Sequence, residues 1–300
     1  TCSSLLLVVN KFAIAAFPAP VSLLALQLWF AAIATSLAGC AGVVQVDALS
    51  VRSAIAFLPV VLSFLGTIFA NIKVLQYTNV ETFITFRSST PIVLSLCDYL
   101  FLGRTLPNAR SVACLVCLAL SSIGYALVDS AFAPRAYAWL AAWYVSFTVY
   151  EVVVKHLCDT IEMSNWTRVL YTNVMAGSIL ASILPFLVGE HAVARHLQWS
   201  KASVNLPVLV SCLIGLCVTH AVYVLRCAAS ATLSAVVGIL CKVVSVLIRF
   251  GVWDKPVTTV ELAFLAMGLA AGSFYQQAPM RTLPARSGKT LEDEGRLVQK

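Results

Sequence analysis

Long apolar runs with very few charges restrict the fold of this chain more than any other feature. Each run is about 17–25 residues long, which is the length that an α-helix needs to cross the hydrocarbon core of a bilayer. Of the 300 residues, 60% are hydrophobic and 11% are charged, and the mean hydropathy is +0.90. A soluble chain of this size could not cover its surface with polar groups. The sequence therefore excludes a soluble enzyme and predicts a protein surrounded by lipid.

The predicted fold is all-α, a bundle of ten transmembrane helices. Backbone in lipid has to satisfy its own hydrogen bonds, so spans are helices or closed barrels, and these runs lack the in-and-out alternation of barrel strands. The predicted spans are 1–17, 20–45, 52–72, 77–102, 110–128, 135–157, 168–189, 206–226, 229–250 and 257–276. Short connections with Pro, Gly or charge separate most of them, as is typical of antiparallel neighbours.

An internal repeat predicts two halves of five spans each. Spans four and five align with spans nine and ten when one pair is moved by 151 residues, which superimposes hairpins 103–105 and 254–256. Because five is an odd number, the halves have to be inverted relative to each other, an arrangement suited to alternating access. The predicted organisation is one transmembrane domain over 1–278, with repeats at about 1–130 and 134–278, and a flexible cytosolic tail at 279–300.

The distribution of Lys and Arg predicts the orientation. If the tail is cytosolic, eleven basic residues lie on that side, five lie on the other side and four lie within spans. The positive-inside rule therefore places both termini in the cytosol. The sequon Asn165-Trp166-Thr167 then lies on the cytosolic side, where we expect it to stay unmodified. Much of the net charge of +7 is orienting charge of this kind, so we predict no binding to nucleic acid.

Charged residues inside the spans indicate where a ligand binds. A Lys at the middle of a bilayer costs about 2.5–3.5 kcal/mol on insertion scales, so it is expected to face a cavity, a partner or a ligand. Lys242 lies near the centre of span nine, and helical spacing places Ser234, Gly238 and Arg249 on the same face. We predict that Lys242 binds a ligand. For Arg249, near the end of the span, a snorkelling side chain or a structural ion pair is favoured.

Other spans bring further polar residues into the core of the bundle. Glu151 in span six is predicted either to pair with Lys155 one turn later or to contact substrate. Arg87 in span four and Asn10-Lys11 in span one are additional candidates, with internal pairing or packing as the alternative. Such a lining suits a polar anionic ligand. We find no motif for catalysis, a phosphate-binding loop or a metal site, and so predict no enzyme activity, no cofactor and no metal.

Several motifs are similar to those of one transporter family. They are Val9-Asn10-Lys11-Phe12, Phe17-Pro18-Ala19-Pro20, the stretch from Asn79 to Pro91, Leu170-Tyr171-Thr172-Asn173, the stretch from Gly238 to Lys242, Val252-Trp253-Asp254-Lys255 and Tyr275-Gln276-Gln277. With these motifs the chain resembles nucleotide-sugar transporters of the drug/metabolite transporter superfamily. The resemblance is closest to the GDP-mannose transporter branch and its plant GDP-sugar relatives, and it extends to about residue 278.

The resemblance implies a substrate site on spans seven and nine. The family signature FYNN, linked to the guanine base, here reads Leu170-Tyr171-Thr172-Asn173, and GALNK, linked to phosphate and sugar, reads Gly238-Ile239-Leu240-Cys241-Lys242. Thr172 and Cys241 each replace an Asn, and Ser234 stands where relatives commonly have an aromatic residue. The predicted substrate-binding residues are Tyr171, Thr172, Asn173, Ser234, Gly238, Cys241 and Lys242, with Asn10, Lys11, Arg87 and Glu151 as further cavity residues.

The function implied is a Golgi transporter that exchanges cytosolic GDP-sugar for lumenal GMP by alternating access. GDP-mannose, GDP-fucose and GDP-galactose all remain open as substrates, and so does a homodimer. A UDP-sugar carrier and a plastid-type phosphate or phosphosugar translocator are the alternatives within transporters. A membrane receptor or scaffold is the alternative from another class, and the cationic residues inside ten predicted spans disfavour it.

Overall fold

The protein is a bundle of apolar α-helices. The computed structural model describes residues 9, 13, 19–77, 80–127, 134–188, 202–252 and 259–281, and every regular element within these ranges is an α-helix. The helices are α1 (Pro20–Cys40), α2 (Val51–Tyr77), α3 (Val80–Leu100), α4 (Ala109–Leu127), α5 (Pro134–Thr160), α6 (Asn165–Val188), α7 (Ala202–Ala228), α8 (Ala231–Val252) and α9 (Thr259–Ser273).

These nine helices coincide with predicted spans two to ten, and each end lies within five residues of its prediction. Of the predicted first span, only Val9 and Ala13 are described, and both are helical. Asn10 and Lys11 lie outside the described residues.

The outer faces of the bundle are apolar. Exposed large hydrophobic side chains lie on several helices; they include Leu37, Leu62, Leu96, Leu120 and Val145. Among the described residues, three segments are long and apolar enough to cross a membrane on length and composition alone: Val21–Cys40, Val51–Asn71 and Asn205–Ala228. Helix α3 also carries the charged residues Arg87 and Asp98, and Asp98 is buried. The fold is thus a membrane helical bundle.

Two of the buried apolar clusters meet on α5. One joins α2, α3, α5 and α8 around Leu94, Trp143 and Ala235. The other joins α2, α5, α6 and α7 around Phe57 and Tyr223. Helix α5 contributes to both clusters and packs along α2 over much of its length. Side chains of α5 therefore line the space between the two clusters.

The connections 41–50, 101–108, 161–164, 229–230 and 274–281 meet at one end of the bundle, here called the sealed end. Ser164 N donates to Asp47 Oδ2 (2.6 Å), which fixes the α1–α2 connection against α6. Arg104 Nη1 donates to Ala278 O (2.7 Å), and Arg281 N donates to Gly103 O (2.8 Å), so residues 279–281 are held against the α3–α4 connection. Gly103 makes this turn with φ of 65°, a conformation that other residues rarely adopt.

Asp98 joins α3 to α8 at the sealed end. Its carboxylate is buried and accepts hydrogen bonds from Ala231 N (3.3 Å), Thr232 N (3.1 Å) and Thr232 Oγ1 (2.6 Å). The first N–H groups of a helix have no partner within the helix, and the helix dipole favours a negative charge at this end. Asp98 therefore caps α8 from a residue far away in the sequence.

Replacing Asp98 is expected to destabilise the bundle. In Asp98→Ala the buried N–H groups lose their acceptor, which should cost about 2–3 kcal/mol of unfolding free energy. Thermal unfolding of the purified protein in detergent measures the loss. Ser95→Ala is the matched control, because Ser95 lies one turn earlier and its exposed hydroxyl bonds only to Ile92 O of its own helix. Equal melting temperatures for the two variants would contradict the capping role.

Candidate functional site

The centre of the bundle contains two adjoining chambers of about 370 and 280 Å³. They share the lining residues Arg87, Phe147, Glu151, Val218, Val222 and Arg226, which are here called the waist. The larger, small-residue chamber is further lined by Ala221, Leu225, Ser234, Ala235, Val237, Gly238 and Cys241. The other, aromatic chamber is further lined by Leu28, Phe64, Thr67, Ile68, Asn71, Trp143, Tyr150, Thr172, Asn173, Thr219 and Tyr223.

Arg87 brings a positive charge into the waist. The carbon of its guanidinium lies 5.0 Å from the ring centroid of Phe147 and 5.9 Å from that of Trp143, so two rings of α5 stabilise the cation. Among the described side chains, no carboxylate forms an ion pair with Arg87. Its Nη2 would lie 3.7 Å from a Cβ added at Gly238, which places α8 directly across the waist. Because its guanidinium makes no hydrogen bond to a described side chain, it can donate to a ligand in the waist.

Arg226, in contrast, is fully engaged with α5. Its Nε donates to Glu151 Oε2 (3.1 Å), its Nη2 pairs with Glu151 Oε1 (2.5 Å) and its Nη1 donates to Tyr150 Oη (2.9 Å). Glu151 is 3% exposed and Arg226 8% exposed, so each needs the other's charge. The predicted alternative of a Glu151–Lys155 pair is wrong, because Lys155 pairs with Asp159 instead (2.8 Å).

Arg226 also lines the site, although it is one of the eleven basic residues that the orientation argument counts on the cytosolic side. A local signal for it exists. Thr219, Tyr223 and Arg226 follow each other at i, i+4 and i+7 on α7, which is one helix face, and all three line the aromatic chamber. The partner of Arg226 could not be read from spacing, because Glu151 lies on another helix.

Two of the three signature residues of α6 line the chambers described above. Thr172 and Asn173 line the aromatic chamber. Tyr171 stacks on Phe57 with ring centroids 5.1 Å apart, and its hydroxyl accepts from Ser50 N (2.6 Å) and donates to Ser50 O (3.1 Å). Consecutive helical residues point about 100° apart, so one turn cannot direct all three toward one cavity. Tyr171 is placed to hold the α1–α2 connection against α6.

The signature residues of α8 line the small-residue chamber. Ser234, Gly238 and Cys241 all contribute to its wall. Ser234 Oγ is buried and has no hydrogen-bond partner among the described atoms. Lys242 is the next residue of α8, and its side chain lies outside the described residues. The structure thus brings Arg87, Glu151, Thr172 and Asn173 together with these three residues around one pair of chambers.

Several proteins of known name are similar to the chain, although no protein-family profile matches it. GDP-fucose transporter 1 of Arabidopsis thaliana is 33% identical, with 99% of this chain and 90% of the relative aligned. GDP-mannose transporter GONST3 of the same plant is also 33% identical, over 99% of this chain and 82% of the relative. UDP-galactose/UDP-glucose transporter 7, again from Arabidopsis thaliana, is 24% identical over 95% of this chain and 89% of the relative. A solved protein structure superposes with a TM-score of 0.69 and covers 91% of this chain and 93% of its own at 16% identity, which shows a shared fold.

Removing one partner of the buried ion pair is expected to cost more than removing both. Glu151→Ala leaves the Arg226 guanidinium buried without its anion, which should lower the unfolding free energy by about 3–5 kcal/mol. The double variant Glu151→Leu/Arg226→Met should recover a large part of that loss. Thermal unfolding in detergent provides the measurement.

The control for this comparison is Glu162→Ala. It removes an exposed carboxylate that forms no ion pair among the described residues, and it should change the unfolding free energy by less than about 0.5 kcal/mol. A double variant less stable than Glu151→Ala would contradict the assignment of a mutually dependent pair.

Proposed function

The chain belongs to the nucleotide-sugar transporter family, and from this premise we propose that it carries GDP-sugars across the Golgi membrane in exchange for GMP. The two relatives at 33% identity are named as transporters of GDP-fucose and GDP-mannose, and they match nearly the whole chain. Both are transporters rather than enzymes. The UDP-sugar transporter is a weaker match at 24% identity, so a UDP-sugar carrier stands as the alternative.

Arg87 is the observation that carries the proposal. It is a cation inside a lipid-embedded bundle, and no described carboxylate forms an ion pair with it, since Glu151 in the same waist pairs with Arg226. A GDP-sugar has its negative charge in the middle, at the diphosphate, and an uncharged group at each end. The site has the same order: a waist with Arg87, and one chamber on either side. We place the diphosphate in the waist, where a guanidinium can donate two parallel hydrogen bonds to phosphate oxygens.

The residues of α8 complete the anion site in this proposal. We propose that Lys242 adds a second positive charge toward the diphosphate, because it follows Gly238 at i+4 in the sequence of the helix. Gly238 leaves room between α8 and Arg87 for the ligand to approach the backbone. Ser234 Oγ, which lacks a partner among the described atoms, can bond to a sugar hydroxyl in the small-residue chamber. Thr172 and Asn173 lie on the opposite side, toward the base.

Obligatory exchange of GDP-sugar for GMP follows from the charge of the empty site. Arg87 and Arg226 exceed Glu151 by one positive charge among the described waist residues, and Lys242 adds to this in the sequence. Uncompensated charge in a low-dielectric interior is costly. An empty carrier therefore reorients slowly, and a bound anion lowers the barrier. This supports obligatory exchange over one-way transport.

The pairing of helices supports the predicted inverted repeat. Under that repeat, spans two, four and five correspond to spans seven, nine and ten, which are α6, α8 and α9. Each member of these pairs packs against its own counterpart: α1 on α6, α3 on α8, and α4 on α9. A two-fold axis between the halves produces such contacts. We propose alternating access about this axis within one domain over 1–278, with both termini in the cytosol and the C-terminal tail beyond the domain.

Counterflow tests the function and the role of Arg87 together. Liposomes that hold the purified protein and GMP are offered labelled GDP-mannose, GDP-fucose, GDP-galactose and UDP-sugars. Wild-type protein should take up at least one GDP-sugar only when GMP is inside. Arg87→Gln should reduce uptake by about 10- to 100-fold, because hydrogen bonds to charged groups are worth about 1.5–3 kcal/mol.

Arg110→Gln is the matched control for Arg87. Arg110 also lies near an aromatic ring, that of Phe274 at 5.8 Å, but it is exposed and lines neither chamber. It should transport at the wild-type rate. Full GMP-driven uptake by Arg87→Gln would refute the waist as the phosphate site, and absence of GMP-driven uptake of every GDP-sugar by wild type would refute the function.

Lys242 has a separate test in the same assay. Lys242→Ala should raise the KM for GDP-sugar, since a cation near the diphosphate is lost, whereas Arg249→Ala at the span end should leave KM near the wild-type value. Both variants are compared at equal protein density in the liposomes. An unchanged KM in Lys242→Ala would remove this residue from the phosphate site.

A further inference from the structure

Asn71 is a polar side chain in the aromatic chamber that no motif of the sequence identifies. It lies on α2, one turn after Thr67, which lines the same chamber. Its Oδ1 is buried and has no hydrogen-bond partner among the described atoms. A buried carboxamide oxygen without a partner is costly, and native proteins keep such groups mostly where a ligand or a water satisfies them.

The chemistry of the oxygen excludes a phosphate contact. A carboxamide oxygen accepts hydrogen bonds, and a phosphate diester or diphosphate at neutral pH has no proton to donate to it. The ligand group that faces Asn71 therefore carries N–H or O–H donors. Within a nucleotide-sugar these are the base edge, the ribose hydroxyls and the sugar hydroxyls.

The walls around Asn71 favour a flat ring. Trp143 stacks on Phe147 with centroids 5.1 Å apart, and Phe64 packs on Tyr150 at 5.5 Å. All four rings line the chamber of Asn71, whereas Phe147 is the one aromatic ring among the described residues that line the small-residue chamber. Aromatic faces stack on the flat ring of a base.

The signature residues on α6 are partly engaged within the protein. Thr172 Oγ1 is hydrogen-bonded to the hydroxyl of Tyr223, and Asn173 Nδ2 donates to Val169 O (2.8 Å). Thr172 moreover supplies a hydroxyl where relatives have an amide. A second carboxamide that lines the same chamber, on a different helix, can supply a further acceptor to the base.

We propose that Asn71 binds the guanine base, its Oδ1 accepting from the N1–H and 2-amino edge. The proposal rests on the proposed function and adds a specificity residue on α2. The diphosphate at Arg87 then separates the base, beside Asn71, from the sugar, beside Ser234. Discrimination against uracil follows, because a pyrimidine bound at the same phosphate position is too short to bring its N–H to Asn71.

Nucleotide analogues test this assignment. Uptake of labelled GMP into GMP-loaded liposomes is measured in the presence of each of three external inhibitors. They are unlabelled GMP, IMP, which lacks the 2-amino group, and 1-methyl-GMP, which lacks the N1 proton. Wild type should bind GMP more tightly than both analogues. Asn71→Leu, similar in volume but without hydrogen bonds, should bind GMP about 10- to 100-fold more weakly and bring the three ligands within about twofold of each other.

Two control variants separate this role from a structural one. Thr148→Val removes a buried hydroxyl that also lacks a partner among the described atoms but lines neither chamber, and it should keep the wild-type ratios. Arg87→Gln should weaken all three ligands by a similar factor, since all carry the phosphate. Asn71→Ser replaces Asn71→Leu if the leucine variant does not fold, with the same expectation for the ratios.

The outcomes separate this proposal from the function on which it rests. An unchanged ratio of GMP to its analogues in the Asn71 variants would overturn the base assignment while transport stands. Weaker binding of GDP-mannose with unchanged binding of GMP would place Asn71 at the sugar and also overturn it. If wild type exchanges no guanine nucleotide, the proposed function fails, and the assignment of Asn71 fails with it.

Discussion

The cost of burying charge in a lipid-embedded bundle shapes this molecule more than any other interaction. Two arginines lie at its centre, and they meet that cost differently. The Nε and Nη2 atoms of Arg226 bond to the two carboxylate oxygens of Glu151, and its Nη1 donates to the hydroxyl of Tyr150. Arg87 has two aromatic rings of α5 beside it and no ion pair among the described residues. A cation left open in this way is stable only where a cavity and an anionic ligand accompany it. We propose that the chambers and the gap at Gly238 admit an anion beside this cation.

The sealed end fixes the positions of helices, and the waist lies where the two chambers adjoin. Asp98 of α3 accepts a hydrogen bond from the N-terminus of α8, and Asp47 of the α1–α2 connection accepts one from Ser164, just before α6. These are the helices that carry the two signatures of the family. Their N-terminal ends are therefore held in place, and the signature residues one to three turns further along line the chambers. Tyr171 helps to fix the N-terminal end of α6 through its hydrogen bond with Ser50, whereas Thr172 and Asn173 line the aromatic chamber.

The helices could be predicted from the sequence, because the length of an apolar run and the punctuation between runs are local properties; α1 to α9 follow the predicted spans closely. Arg87 and Glu151 could also be selected, since a charge inside a span is conspicuous. The direction of each side chain could not be predicted, because it depends on how packing rotates a helix about its axis. Tyr171 is an example, since it contacts Phe57 and Ser50 and lines neither chamber. The Arg226–Glu151 pair joins residues on α7 and α5, and no local spacing encodes it. Asn71 is a single amide without a motif, visible only once α2 has been placed beside the chamber.

The central claim is that the phosphate of the nucleotide lies in the waist against Arg87, with the base on the side of Asn71. A structure of the protein bound to GMP tests it most directly. We predict phosphate oxygens at about 2.7–2.9 Å from the Arg87 guanidinium nitrogens, as in charge-assisted hydrogen bonds. We also predict that the purine lies between the rings of the aromatic chamber. A GMP phosphate bound elsewhere, with Arg87 facing an empty cavity, would contradict the account.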